Sequence, residues 1–394
     1  MCDWRWLAQG LSLSFCGGSS GERMRRKVRS VVLKTYLVTG GAGFIGSNFV
    51  LYMLGKYDDI RIVNVDALTY AGNRENLRAI EGDARHIFMQ ADIRDTARMA
   101  ELVEEYDPDY VVNFAAESHV DRSILDPGAF ADTNVLGTVS LLNAARSVWE
   151  REDGTWAPGK RFLQVGTDEV YGSLPLDDPE AFFCEDAPLA PHSPYSASKA
   201  AADQFALAYH DTYGMPVVVT RCSNNYGPFQ FPEKLIPLMI RNLLAHEKLP
   251  VYGDGQYVRD WLFVEDHCKA IDMVLERGRV GEVYNVGGHN ERPNLFIVGK
   301  IIEECAAATG DAAITEELIS FVEDRKGHDR RYGIAPDKIR EEISWEPETA
   351  FEDGIVRTIR WYLDNQEWMN HVLSGEYRTY EPAPLRCSST GSMG

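Results

Sequence analysis

The chain has 394 residues, 44% of them hydrophobic, and a formal charge of −20 from 40 basic and 60 acidic side chains. That length exceeds the usual single-domain size and can bury a large core. The acidic balance speaks against a broad basic face for nucleic acid or an anionic membrane, and no run approaches the roughly 18 apolar residues of a membrane span.

Residues 1–30 read as an unstructured leader. Leu11–Cys16 is weakly apolar, and Arg25, Arg26, Lys27 and Arg29 follow it, whereas a secretory signal carries its charge in front. A cytoplasmic protein is therefore expected. Seven scattered cysteines (Cys2, Cys16, Cys184, Cys222, Cys268, Cys305 and Cys387) include no CxxC pair, so neither a zinc site nor a disulfide framework is predicted.

From Lys34 onward short apolar runs alternate with helical patterns. Tyr36–Thr39, Ile62–Asp66, Ile87–Ala91, Tyr110–Phe114, Phe162–Thr167 and Val217–Arg221 read as strands covered on both faces. Between them lie helical segments such as Ser47–Gly55, Ala97–Tyr106 and Asn134–Glu150. Such a series predicts an α/β fold, a Rossmann-like doubly wound parallel sheet with ligands at the carboxyl ends of its strands. We expect this nucleotide-binding domain over residues 31–225. Beyond Asn225, Pro228, Pro232, Pro237 and Pro250 break the rhythm, although Leu235–Leu244 still reads as a helix. Residues 226–380 are expected to be mainly a smaller, mixed α/β substrate-binding lobe, with Asp266–Arg277 and Val283–Val286 as segments returning to the main sheet. Residues 381–394 read as an unstructured tail.

The first strand runs into Gly40-Gly41-Ala42-Gly43-Phe44-Ile45-Gly46, which satisfies both GxxGxxG (Gly40, Gly43, Gly46) and GxGxxG. Glycines there permit a tight turn and let backbone approach a pyrophosphate at a helix amino terminus. A bare strand–helix turn would explain the glycines alone. Asp66, twenty residues past Gly46 at the end of the next strand, makes the stronger case. A carboxylate there accepts from ribose hydroxyls and repels a 2′-phosphate, which favours NAD over NADP. Asp92 and Ile93 end the third strand, where a carboxylate could meet the adenine amino group or simply face solvent. Asn113, Phe114, Ala115 and Ala116 end the fourth strand, where the small alanines would allow close backbone approach to the cofactor, although ordinary packing explains them too.

Tyr195-Ser196-Ala197-Ser198-Lys199 opens a helix, and its spacing places Tyr195 and Lys199 on one face. The ammonium is expected to pull the phenol below its usual pKa of roughly 10, so that Tyr195 can take a proton from a sugar hydroxyl. Thr167 ends the fifth predicted strand beside Asp168 and Glu169. Neighbours on a regular strand point to opposite faces, so both carboxylates can meet one substrate only if the chain leaves the strand there.

These residues resemble the extended short-chain dehydrogenase/reductase family and, within it, the dTDP-glucose 4,6-dehydratases. The likeness runs from about Val32 to Tyr380 and includes Leu-Thr-Tyr-Ala-Gly-Asn (68–73) and Ala-Ala-Glu-Ser-His-Val-Asp-Arg-Ser (115–123). It also includes Thr-Asp-Glu-Val-Tyr-Gly (167–172), Arg-Cys-Ser-Asn-Asn-Tyr-Gly-Pro (221–228), Gly-Asp-Gly-Gln-Tyr-Val-Arg-Asp-Trp (253–261) and Asp-Arg-Lys-Gly-His-Asp-Arg-Arg-Tyr (324–332). The resemblance implies Asp168 as general acid, Glu169 as base and Tyr195 as the residue that starts oxidation. It implies NAD contacts at Phe44, Ile45, Asp66, Leu68, Thr69, Asp92, Ile93, Ser118, Thr133, Lys199 and Asn225. Substrate contacts are implied at Ser118, Thr167, Asn224, Lys234, Leu235, Pro250, Val251, Tyr252, Arg259 and Asn294, and at Asp324, Arg325 and His328. Lys234, Arg259 and Arg325 become a basic cluster for a diphosphate, a task suited to guanidinium forks. Three departures stand out: the leader, Ala67 where a basic residue is frequent, and Lys326 where a proline is common.

The reaction so implied oxidises carbon 4 of a nucleoside-diphosphate glucose, eliminates water across carbons 5 and 6, and returns hydride to carbon 6. The expected cofactor is NAD and the expected assembly a homodimer through Asn134–Glu150 and Ser198–Tyr213. A nucleotide-sugar 4-epimerase shares the glycine loop, Tyr195 and Lys199 but does not need Asp168 and Glu169. A non-catalytic NAD-sensing protein has no use for either pair.

Overall fold

The computed structural model describes residues 33–324 and 328–380. The leader, the tail, Arg325 and Lys326 lie outside the described residues. Six strands follow the first half of the chain: β1 (Lys34–Thr39), β2 (Ile60–Asp66), β3 (His86–Gln90), β4 (Tyr110–Asn113), β5 (Arg161–Thr167) and β6 (Val217–Cys222). Six more follow: β7 (Asn224–Tyr226), β8 (Leu249–Tyr252), β9 (Val258–Phe263), β10 (Val283–Val286), β11 (Glu291–Pro293) and β12 (Ile319–Val322).

A seven-stranded sheet has the order β10-β6-β5-β4-β1-β2-β3, and every pairing in it is parallel. The order reverses between β1 and β4, and ligands bind in the crevice that such a reversal opens at the strand ends. Both faces are covered, because successive side chains point opposite ways. On β1, Tyr36 and Val38 join a core with the helices Phe44–Lys56 and Val264–Arg277. Leu37 joins the opposite core, with Thr96–Tyr106, Gly137–Trp149 and Pro194–Tyr213. Burying each such large apolar side chain is worth about 1.5–3 kcal/mol, which is what holds helices against both faces.

A third core gathers Tyr226, Val251, Trp261, Ile297, Ile355 and Trp368 from widely separated segments. Around it lie a three-stranded sheet, β11-β9-β7, and a two-stranded one, β12-β8. Strand β10 pairs with β6 in the main sheet, so the chain returns there after building part of this region.

Most expected element ends shift by one to three residues. The larger difference concerns the expected helix over Asn134–Glu150. Its first part is a π-helical segment, Ala131–Leu136, and the α-helix begins only at Gly137. A wider turn of this kind re-aims side chains and is found mostly at functional sites. Cys184, Cys222, Cys268 and Cys305 are free thiols, and no cluster among the described residues could hold a metal. No helix among them is long and apolar enough to cross a membrane.

Candidate active site

The carboxyl ends of β1, β2, β4, β5 and β6 open onto one cleft. It is lined by Gly40, Gly43, Phe44, Ile45, Gly46, Asp66, Thr69, Asp92, Ile93, Phe114, Ala115, Ala116, Ser118, Thr133, Tyr195, Lys199 and Asn225. Thr167, Asp168, Glu169, Asn224 and Lys234 complete the predicted residues found there. Residues that sequence reasoning had not singled out also line it, among them Tyr70, Arg94, Cys222, Gln230 and Glu233.

The glycine loop is shaped by close approach. Gly40 has φ +69, and a Cβ on it would stand 2.7 Å from the Ala115 backbone nitrogen. A Cβ on Gly46 would lie 2.2 Å from the Gly40 carbonyl oxygen. Only glycine lets the first turn of the helix Phe44–Lys56 pack so tightly against the loop, presenting backbone N–H groups to an anion. Asp66 is buried and does structural work as well. One carboxylate oxygen accepts the Ala42 N–H at 2.9 Å and the other the Leu68 N–H at 2.8 Å. Further lone pairs on the same oxygens remain for a ribose.

Leu68 does not line the cleft. Its φ of 53 and its bond to Asp66 turn the chain, while its side chain packs on the core below. Asp92 does line the cleft, but its carboxylate is gripped by Arg94 at 2.7–3.1 Å, which holds it below the usual carboxylate range. Nothing in the spacing announced that guanidinium.

β5 ends at Thr167, and a 3-10 turn begins at Asp168. The chain thus leaves the strand where two adjacent carboxylates must share one cleft. Asp168 is 2% exposed; Thr167 Oγ1 donates to its Oδ1 at 3.3 Å, and its Oδ2 meets no partner among the described residues. Burial first, then the charges of Glu169 and Asp260, push the Asp168 carboxyl well above its ordinary range, against the pull of Arg259. It therefore holds a proton that an exposed aspartate would have lost.

The Tyr195–Lys199 pair departs from expectation. The Lys199 ammonium donates to the Val165 carbonyl at 2.6 Å. The phenol of Tyr195 stands well above its ordinary value, raised by burial and then by Glu169, Cys222 and Asp168, with the Thr167 hydroxyl opposing. The expectation that Lys199 pulls the phenol down is corrected. Desolvation and two nearby carboxylates outweigh an ammonium committed to a backbone oxygen.

Behind the cleft, Asn134 in the π-helical segment joins three pieces of chain. Its Oδ1 accepts from Glu117 N at 2.8 Å, and its Nδ2 donates to the Glu117 carbonyl at 3.0 Å and to Ser198 Oγ at 2.8 Å.

The remaining predicted substrate residues that are described do not line the cleft. Leu235 and Val251 pack their side chains into the third core, so only their backbone could meet a ligand. On β8 the alternation buries Leu249 and Val251 and leaves Pro250 and Tyr252 half-buried. Next to them is an aromatic and polar cluster. His328 stacks on Tyr257 at 3.9 Å, with Tyr252 edge-on at 6.2 Å, and both Tyr257 and His328 hydrogen-bond Asp324. Arg259 is 7% exposed, donates to the Asp329 carbonyl at 2.8 Å and lies 4.2 Å over the Tyr332 ring. It also lies 6.0 Å from the centre of the Tyr257 ring, beside the aromatic cluster. Asn294 opens the helix Asn294–Thr309, and its Oδ1 is buried without a partner among the described residues. Arg325 lies outside the described residues.

A family model described as GDP-mannose 4,6 dehydratase matches residues 37–358. The chain belongs to this family. Within it, the chain is 56% identical to a dTDP-glucose 4,6-dehydratase of Xanthomonas campestris pv. campestris, over 88% of this chain and 98% of that one. A dTDP-glucose 4,6-dehydratase from Streptomyces venezuelae, solved with NAD and TYD bound, is 46% identical, with a TM-score of 0.77 and coverage of 85% and 98%. A UDP-glucose 4-epimerase from Thermotoga maritima, solved with UDP-glucose, shares the fold at a TM-score of 0.73 but only 27% identity, covering 84% and 99%.

Proposed function

We propose that this dehydratase-family chain acts on dTDP-glucose, with NAD as cofactor, giving the 4-keto-6-deoxy sugar and water. The observation that carries the reading is the buried Asp168 next to Glu169, in the same cleft as Tyr195 and Lys199, where burial raises the carboxyl's hold on its proton. An epimerase would not need that carboxylate pair. The glycine cradle at Gly40 and Gly46, the Asp66 carboxylate and the backbone behind Ala115 fit a dinucleotide without a 2′-phosphate.

NAD, when bound, supplies the acceptor for the hydrogen on carbon 4 and its return to carbon 6. The residues supply the proton movements. Tyr195 relays the proton of the carbon-4 hydroxyl, with Thr167 beside the same phenol; because the protein alone holds that phenol protonated, the positive nicotinamide of bound NAD would supply the charge that lowers it. Once carbon 4 is a ketone, the hydrogen on carbon 5 is acidic enough for Glu169 to remove. Asp168 then gives its proton to the departing carbon-6 hydroxyl, which its raised affinity for that proton equips it to do, and Glu169 returns its proton to carbon 5 once hydride has reached carbon 6. Arg259, Lys234 and Arg325 hold the diphosphate, and the cluster of Tyr252, Asp324 and His328 with Asn294 holds the nucleoside. Leu235, Pro250 and Val251 contribute backbone.

Supporting a homodimer are Leu125, Leu136 and Phe205, exposed at 84%, 59% and 43% on helical segments near one another. Apolar side chains so placed suit an interface between copies. We place the protein in the cytoplasm, and divide it at about Asn225 into a cofactor domain and a substrate lobe that lends β10 to the main sheet. Incubation with dTDP-glucose, followed by mass spectrometry, tests the central reading: loss of water supports it, and a carbon-4 epimer of unchanged mass replaces it with epimerisation.

A further inference from the structure

Asp203 lies one turn beyond Lys199 on the helix Pro194–Tyr213, so the two side chains share a face. It is 0% exposed, a place where a carboxylate is almost never found without a partner. One of its oxygens accepts from Arg221 Nε at 3.0 Å, and the other meets no partner among the described residues. Arg221, on β6, is itself buried and spends Nη1 on the Tyr171 hydroxyl at 2.9 Å, which in turn donates to Asn285 Oδ1 at 2.8 Å. The guanidinium is thus held from behind, and it holds the carboxylate in turn.

Gly166 shows how closely that carboxylate approaches β5. A Cβ there would stand 2.9 Å from both Asp203 oxygens. The preceding residue, Val165, supplies the carbonyl that accepts from Lys199. Ammonium and carboxylate are therefore both held against neighbouring residues of one strand, without a direct ion pair between them. The buried ion pair of Arg221 and Asp203 is a poor source of stability, because removing two charges from water costs about what their attraction returns. Its value here is better sought in what it does for a third charge.

We propose that Asp203 is the positioning residue that keeps Lys199 cationic and seated on the Val165 carbonyl, with Arg221 and Tyr171 fixing Asp203 in turn. Burial alone drives an ammonium toward its neutral form, and burial is the largest influence on Lys199. The titratable and charged groups around it are Tyr195 and Asp203 on its own helix, Arg221 and Cys222 on β6, and Asp168 and Glu169 after β5. Of these, Asp203 opposes burial most, followed by Cys222. The inference does not depend on which sugar the cleft takes.

The test reads Lys199 directly. In enzyme labelled at the lysine Cε, the Lys199 resonance is identified by its loss in Lys199→Arg and followed against pH by NMR. Asp203→Asn should lower its titration midpoint by about one pH unit or more. Asp203→Glu should restore the parent midpoint. An unchanged midpoint in Asp203→Asn would reduce the cluster to packing and overturn the proposal. Where Asp203→Asn does not fold, Asp203→Ser, smaller and equally uncharged, decides: a lower midpoint supports the proposal, and an unchanged or higher one sinks it. The alkaline limb of carbon-4 oxidation should move with the NMR midpoint in each variant.

Discussion

The region built on β1–β6 and the region built around β7–β9, β11 and β12 make their sites in opposite ways. In the first, β1 to β5 are each followed by helical segments before the chain returns to the same sheet, and the predicted functional groups sit on strand ends or first helical turns. In the second, β8 pairs with β12 across nearly seventy residues, and one core draws on Tyr226, Ile301 and Tyr377. A local unit places a side chain by periodicity. An assembly of distant segments places it by packing, so the same residue can hold the core with its side chain and face a ligand with its backbone. Function and stability should therefore separate cleanly in the first region and mix in the second.

The largest effect is expected in the first region. Asp168→Asn should slow elimination by roughly 10²–10⁴-fold while leaving carbon-4 oxidation largely intact. Rapid-quench analysis should then show the 4-keto-glucose intermediate accumulating, and its absence would remove Asp168 from the acid's role. Gly46→Ala, whose methyl meets the Gly40 carbonyl, should weaken NAD binding at least about tenfold by calorimetry, a loss of about 1.4 kcal/mol or more. In the second region, Val251→Ala should lower unfolding stability by about 1–2 kcal/mol in denaturant titrations with little change in KM. Its neighbour Tyr252→Ala should do the reverse, raising KM while keeping stability within about 0.5 kcal/mol. Equal effects from the two would erase the alternation on β8.

The smallest effect carries a sign. Asp168 holds its proton more tightly folded than unfolded, so the native state binds more protons between the ordinary carboxylate range and the raised folded value. Stability therefore falls as pH rises through that window. Asp168→Asn escapes the loss and should melt about 2–4 °C above the parent near neutral pH, the gap closing below about pH 4. A variant that is both inactive and more stable is the mark of a group held against its own preference.

Much of the first region was legible in advance because its signals are local. Near-continuous apolar strands, the glycine loop, Asp66 at the next strand end and the Tyr195–Lys199 spacing all act over short stretches of chain. The exit from β5 at Thr167 could be reasoned from the need of two adjacent carboxylates to face one way. What escaped was set by burial and by partners distant in sequence. The elevated phenol of Tyr195 depends on carboxylates from another element, and Arg94 claims Asp92 through an exposed fork that no motif marks. Val251 and Leu235 looked like ligand contacts by resemblance, yet the third core takes their side chains. The π-helical segment was hidden because its pattern passes for the start of the helix that follows it.

That segment has a mechanical consequence. Through a single carboxamide, Asn134 fastens the strand-end loop at Glu117 to the helix that bears Tyr195, on the residue preceding Lys199. The floor that receives the cofactor and the helix that handles the proton thus behave as one bracket. Flexing of the strand-end loop therefore carries the Tyr195 helix with it.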